Sequence, residues 1–128
     1  MTTTSPFLGL RTAIYHVSDL ERAKAWYSSV LGVEPYFDQP FYVGYNVAGY
    51  ELGLDPNPEG GSPGPGGTLA YWGVENADDA YARLLELGAL AHRGVQDVGG
   101  GIRVATVEDP FGNLFGIIEN PHFQLPAP

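Results

Sequence analysis

Apolar and polar residues alternate along Thr12 to Val17 and again along Thr68 to Val74, and each run passes into apolar residues at helical spacing. In the first case Ser18-Asp19-Leu20-Glu21 predicts a helix start, with the Ser18 hydroxyl as N-cap and Glu21 returning a bond to the cap backbone. Leu20, Ala23, Tyr27, Val30 and Leu31 then make one apolar face, and Gly32 supplies the left-handed residue that ends the helix. In the second case Asn76 is the expected cap, with Asp78 and Asp79 placed favourably against the helix dipole. Ala77, Ala80, Tyr81, Leu84 and Leu87 form its buried stripe, closed by Gly88.

Three strands are expected after each helix: Val33 to Asp38, Phe41 to Val47 and Tyr50 to Leu54, then Ala91 to Val98, Ile102 to Glu108 and Leu114 to Glu119. Turn residues separate them, including Ala48-Gly49, Gly99 to Gly101 and Asp109-Pro110-Phe111-Gly112-Asn113. Superposing Val17 on Val74 brings Gly32 within one residue of Gly88, so the halves read as a duplicated βαβββ unit. Between them Asp55 to Gly67 has nine Pro or Gly in thirteen residues, the composition of a linker that could also lie across a cavity as a flap. The expected fold is α+β: one domain over 1–128, with modules at 8–54 and 68–120 and a linker at 55–67. Its curved eight-stranded sheet would surround a cavity, with the helices outside.

Composition narrows the function. Six Lys+Arg against fifteen Asp+Glu give a formal charge of -9, which repels phosphate backbones and anionic lipid, so neither nucleic acid nor a membrane is an expected partner. The absence of cysteine removes disulfides, thiolate nucleophiles and Cys-ligated zinc. The start Met1 to Ser5 lacks a basic segment, and the apolar stretch that follows is interrupted by Arg11, so a cytoplasmic location is expected. The Gly-rich linker is followed by no Gly-Lys-Ser/Thr and no Ser-His-Asp pattern occurs, which sets phosphate-loop and nucleophilic-hydrolase readings aside.

Three stretches carry a family resemblance: Tyr15-His16-Val17-Ser18-Asp19-Leu20-Glu21-Arg22-Ala23 with Trp26-Tyr27 and Leu31-Gly32, then Tyr71-Trp72-Gly73-Val74, then Glu108-Asp109-Pro110-Phe111-Gly112-Asn113. In these the chain resembles the vicinal oxygen chelate superfamily, the glyoxalase, bleomycin-resistance and extradiol dioxygenase group. The resemblance implies a cup-shaped cavity, a homodimer, and a divalent metal held by His and Glu from the first and last strands of each module. Carried over by position, the four ligand places fall on Thr12, Glu51, Leu69 and Gly116, of which Glu51 alone is a ligand type. His16 would need a four-residue slip to take the place of Thr12, and Glu119 falls on the opposite strand face from Gly116. No metal and no cofactor are therefore expected.

Strand alternation sends Thr12, Ile14, His16, Glu51, Leu69, Tyr71, Leu114 and Gly116 toward the cavity, which makes them the candidate ligand pocket. Gly116 would leave room where a carboxylate stands in relatives. The expected function is the binding of a small, partly aromatic organic ligand in the cup without the family metal. The alternative is a lyase, isomerase or dioxygenase of the superfamily, with Glu51 and His16 as catalytic acid or base, or with an unrecognised divalent metal. His92, in a strand beside Arg93, and His122, in the Pro-rich tail, carry less weight.

Overall fold

The computed structural model describes residues 5–59, 61–64 and 66–123; Gly60 and Pro65 of the expected linker and the two ends of the 1–128 span lie outside them. The described chain forms two compact units, one of residues 12–69 and one of residues 70–123 with the segment ending at Arg11. The fold is α+β, with eight strands and two helices in βαβββ order, twice.

In the first unit the elements are β1 (Gly9–His16, its first three residues belonging to the other unit), α1 (Leu20–Leu31), β2 (Phe37–Gln39), β3 (Tyr42–Val47) and β4 (Tyr50–Asp55). The strand order is β2-β3-β4-β1, with β1 parallel to β4 and the other pairs antiparallel. In the second unit β5 (Thr68–Gly73, its first two residues belonging to the first unit), α2 (Ala77–Glu86), β6 (Leu90–Asp97), β7 (Arg103–Glu108) and β8 (Leu114–Glu119) repeat the scheme. There the order is β5-β8-β7-β6, and β5 runs parallel to β8.

Each helix covers one face of its own strands. Leu20 of α1 packs on Val43, Tyr45 and Leu54, with Ala23, Tyr27, Leu31 and Leu52 around them. Below α2, Val74, Ala105 and Ile117 are buried beside Ala80, Tyr81, Leu84 and Phe115. Trp72 stacks on Phe115 with ring centroids 6.0 Å apart. Val30 and Leu87, expected in the apolar stripes, are instead 57% and 64% exposed. Each lies ten positions beyond the first residue of its stripe, about 80° round the helix at 3.6 residues per turn, and so leaves the sheet.

The helix ends follow the expected chemistry with one correction. The N-cap of α1 is Asp19 and not Ser18: its Oδ1 accepts from Arg22 N at 3.1 Å. A carboxylate makes the stronger, charge-assisted bond and complements the helix dipole. Asn76 caps α2 by accepting from Asp79 N at 3.0 Å, and Gly32 closes α1 at φ 72°. The strand expected over Val33 to Asp38 shrinks to Phe37–Gln39 because Pro35 has no N–H and restricts Glu34 before it. None of the described helices is long and apolar enough to cross a membrane.

Candidate functional site

On β4 the residues alternate between two environments. Leu52 and Leu54 face α1, so Glu51 and Gly53 lie on the other face, together with Tyr42 and Gly44 of β3. Gly44 and Gly53 are direct register partners and leave a patch of strand without side chains. Two tyrosine rings occupy that patch: a Cβ on Gly53 would stand 1.8 Å from Tyr42 Oη, and one on Gly44 would stand 3.3 Å from both Tyr36 Cε1 and Tyr42 Cε2. The rings close on Glu51, where the Tyr36 hydroxyl donates to Oε1 and the Tyr42 hydroxyl donates to Oε2. Tyr36 is positioned by its backbone N–H, which donates to the Gly44 carbonyl at 3.0 Å and extends the β2–β3 pairing by one residue.

Partial burial, then the bond to Glu51 and its charge, push the Tyr36 phenol above the ordinary tyrosine range, although 63% of the residue is exposed and water screens part of the effect. Tyr36 is therefore a hydrogen-bond donor at any physiological pH. Its folded value lies above the unfolded one of about 10, so its contribution to stability is complete below pH ~10 and is lost as pH rises through the folded value. Burial also raises the Tyr27 phenol, so spectrophotometric titration of the eight tyrosines should find, besides a late step from Tyr27, a further late step from Tyr36. In Tyr36→Phe that step should vanish, together with part of the alkaline loss of stability; an unchanged titration would remove the clamp.

Thr12 is the register partner of Glu51, Ile14 of Gly53 and His16 of Asp55, so these three β1 residues share the strand face of Glu51. Thr12 and Glu51 are adjacent. His16 lies four residues further along, about 13 Å at the rise of a parallel strand, and does not pair with Glu51. Its Nδ1–H donates to the Gly67 carbonyl at 2.8 Å, and its backbone N–H donates to the same oxygen at 3.0 Å. Gly61 lies against the imidazole, where a Cβ would come within 2.9 Å of the ring. His16 thus holds the Pro-Gly linker to the end of β1. An open groove of about 730 Å³ lies at that end, lined by His16, Arg22, Trp26 and Pro63, far along the strand from Glu51. Leu69 is buried on β5.

In the second unit Tyr71 and Gly116 are register partners. The space left by Gly116 is filled: a Cβ there would stand 2.7 Å from Tyr71 Cδ1 and 2.9 Å from the Ala70 carbonyl oxygen. Ile14 pairs with Gly53 as Tyr71 pairs with Gly116, so Gly53 and Gly116 are counterparts in the two modules. That makes Leu114, on the same strand face as Gly116, the counterpart of Glu51. Glu119 takes a structural role, its Oε1 accepting from Ala77 N at 2.8 Å at the start of α2.

The family metal does not fit these residues. Both Glu51 oxygens accept from tyrosines, its strand neighbour Thr12 offers only a hydroxyl, and Leu69 and Gly116 offer nothing. Among the described residues no three His, Asp or Glu side chains come together. Tyr36, Tyr42, Gly44 and Gly53 were missed in the sequence. The available signal was a glycine inside each of two strands, which marks a close approach by another group.

Two βαβββ units, each with its first strand parallel to its last, define the class of fold. The chain belongs to the Glyoxalase/Bleomycin resistance protein/Dioxygenase superfamily, which it matches over residues 9–117. Among solved structures it is similar to methylmalonyl-CoA epimerase from Mycobacterium tuberculosis, at 21% identity and TM-score 0.69 over 100% of this chain and 94% of that one. It is also similar to the Streptomyces coelicolor methylmalonyl-CoA epimerase in complex with 2-nitronate-propionyl-CoA, at 15% identity and TM-score 0.69 over 94% and 99% of the two chains. A glyoxalase/bleomycin resistance protein/dioxygenase superfamily member from Vibrio splendidus matches at 20% identity and TM-score 0.65, over 87% and 99%. At these identities the likeness is one of fold. No curated protein matches the sequence significantly.

Proposed function

We propose that this protein binds a small, partly aromatic organic molecule without the family metal, and that Glu51 anchors it. The observation that carries this reading is the carboxylate held between the Tyr36 and Tyr42 hydroxyls above the Gly44–Gly53 patch. Two fixed donors orient both oxygens, and the remaining lone pairs are left to accept from a ligand N–H or O–H. Tyr36 and Tyr42 supply ring faces and edges, and Phe37 lies against Tyr42 with centroids 6.0 Å apart. A carboxylate among aromatic rings, in a chain of formal charge -9, favours a ligand whose polar end is cationic. The reading keeps the cytoplasmic location and the homodimer expected from the sequence; Leu90 at the start of β6 and Val98 just past its end are exposed and support an assembly.

Calorimetric titration with benzylamine, benzyl alcohol and benzoate tests the anchor. Benzylamine should bind best and benzoate least. Glu51→Gln, which keeps the shape and removes the charge, should weaken benzylamine by about tenfold or more, the worth of one charge-assisted hydrogen bond. Equal binding of benzoate, or no effect of Glu51→Gln, would overturn the assignment.

A further inference from the structure

The groove at the end of β1 holds a polar atom with no partner. His16 is only 8% exposed, and its Nδ1–H is committed to the Gly67 carbonyl, so in the neutral ring Nε2 carries a lone pair. Nε2 has no hydrogen bond among the described residues, and no buried side-chain nitrogen or oxygen there lacks one, so Nε2 opens to the groove that His16 lines. The backbone at Gly61 lies against the imidazole, where a Cβ would stand 2.9 Å from Cε1, and keeps the ring from turning. A buried acceptor is thereby fixed and directed outward.

The start of α1 supplies the rest of the lining. Asp19, Arg22 and Trp26 follow at spacings of three and four residues, which places them on adjoining turns of one helix side. Asp19 Oδ1 accepts from Arg22 N as the helix cap, and Oδ2 makes no bond among the described residues. The Arg22 guanidinium is exposed and enters no ion pair among them. Trp26 is 60% exposed, although Tyr27 meets its indole at 84° with centroids 4.8 Å apart. An indole left to water beside fixed polar groups is a platform for a flat ring. Ala23 and Ala25 add little bulk, and the groove's volume of about 730 Å³ falls in the usual range of small-molecule sites, about 300–1,000 Å³.

Charge selects the ligand. Asp19 and Arg22 put one acid and one base in the lining, so a ligand of either sign meets repulsion as well as attraction, and the formal charge of -9 disfavours phosphates. What the groove matches is a neutral flat ring with a carbonyl beside N–H groups: acceptors at His16 Nε2 and Asp19 Oδ2, donors at Arg22, and stacking at Trp26. We propose that the groove binds a neutral nucleobase or nucleoside of the guanine type, its ring on Trp26, its carbonyl toward Arg22 and its N–H groups toward Asp19 and His16. The site lies within the first unit, and His16 stands about 13 Å along β1 from Thr12, the partner of Glu51, so it does not depend on the role given to Glu51.

Guanosine and 1-methylguanosine, which lacks the ring N–H, are the probes, titrated into the full chain and read by tryptophan fluorescence and by the Cε1–H resonances of the three histidines. Substituting His92 and His122 one at a time leaves the His16 resonance assigned. Guanosine should quench the emission saturably and move the His16 resonance while the other two stay in place. Trp26→Ala should abolish the quenching and weaken binding about tenfold or more, the worth of stacking one base on an aromatic ring. In the parent, 1-methylguanosine should bind about tenfold more weakly than guanosine, the loss expected for one charge-assisted hydrogen bond. Asp19→Asn still caps α1 but presents an NH2 where Oδ2 stood, so it should weaken guanosine by a similar factor and erase the difference between the two nucleosides. Guanosine should bind Glu51→Gln as it binds the parent, which separates this groove from the Glu51 site. No saturable response, equal movement of all three histidines, parent-like affinity in Trp26→Ala, equal binding of the two nucleosides by the parent, or loss of guanosine binding in Glu51→Gln would overturn the site. Asp19 and Trp26 are exposed, so their variants test binding without opening the core.

Discussion

Replacing Tyr45 by alanine should lower the free energy of unfolding by about 3–5 kcal/mol in a urea titration, the cost of removing a large buried aromatic side chain. Tyr45 is fully buried between β3 and α1. Its hydroxyl lies 2.9 Å from Ser28 Oγ and donates to the Lys24 carbonyl, also at 2.9 Å, so a polar tip ties the strand to the helix that covers it. Tyr45→Phe separates the two contributions. It keeps the ring and should cost about 1 kcal/mol, the net worth of a typical hydrogen bond, with some excess for the partners left behind. A loss for Tyr45→Ala no larger than that for Tyr45→Phe would mean that the ring fills no essential space, contrary to the packing described above.

The two counterpart glycines should respond differently to an added methyl group. Gly116→Ala places a Cβ against the Tyr71 ring and also 2.9 Å from the Ala70 carbonyl oxygen, a backbone atom that cannot turn aside. Overpacking of that kind costs about 1–3 kcal/mol, read again from urea unfolding. In Gly53→Ala the atoms nearest the Cβ all belong to the outer end of the Tyr42 side chain, the hydroxyl oxygen at 1.8 Å and ring carbon Cε1 at 2.8 Å. Tyr42 can swing away, so the stability loss should be smaller, but the ring then abandons Glu51. The expected result is a benzylamine affinity reduced toward that of Glu51→Gln with most of the stability retained. Full affinity in Gly53→Ala would show that Tyr42 takes no part in presenting the carboxylate.

The repeat, the helix stripes and the caps were readable because they depend on neighbours close in sequence: spacing of about 3.6 residues, a capping side chain three residues from its target, a glycine at the end. Where the reading slipped, two local solutions competed. Ser18 and Asp19 can both cap a helix, and the carboxylate prevailed. The face assigned to Thr12, Ile14, His16 and Glu51 also followed from alternation alone, since a strand has only two faces. Alternation gives no position along the strand, however. His16 and Glu51 share a face, yet the parallel register sets His16 beside Asp55 and Thr12 beside Glu51.

By itself the sequence determined two βαβββ modules and the Pro-Gly connection between them, and its family resemblance singled out one acid, Glu51. Only the tertiary structure decided what surrounds that acid. Tyr36 and Tyr42 are fifteen and nine residues from Glu51 in the chain, and they meet it because two glycines on neighbouring strands fall in register. The same holds for His92, whose partner Thr106 is fourteen residues away and is reached through a one-residue bulge. Register and bulges are settled by how whole strands pair and pack, a property of the assembled sheet that no short window of sequence contains.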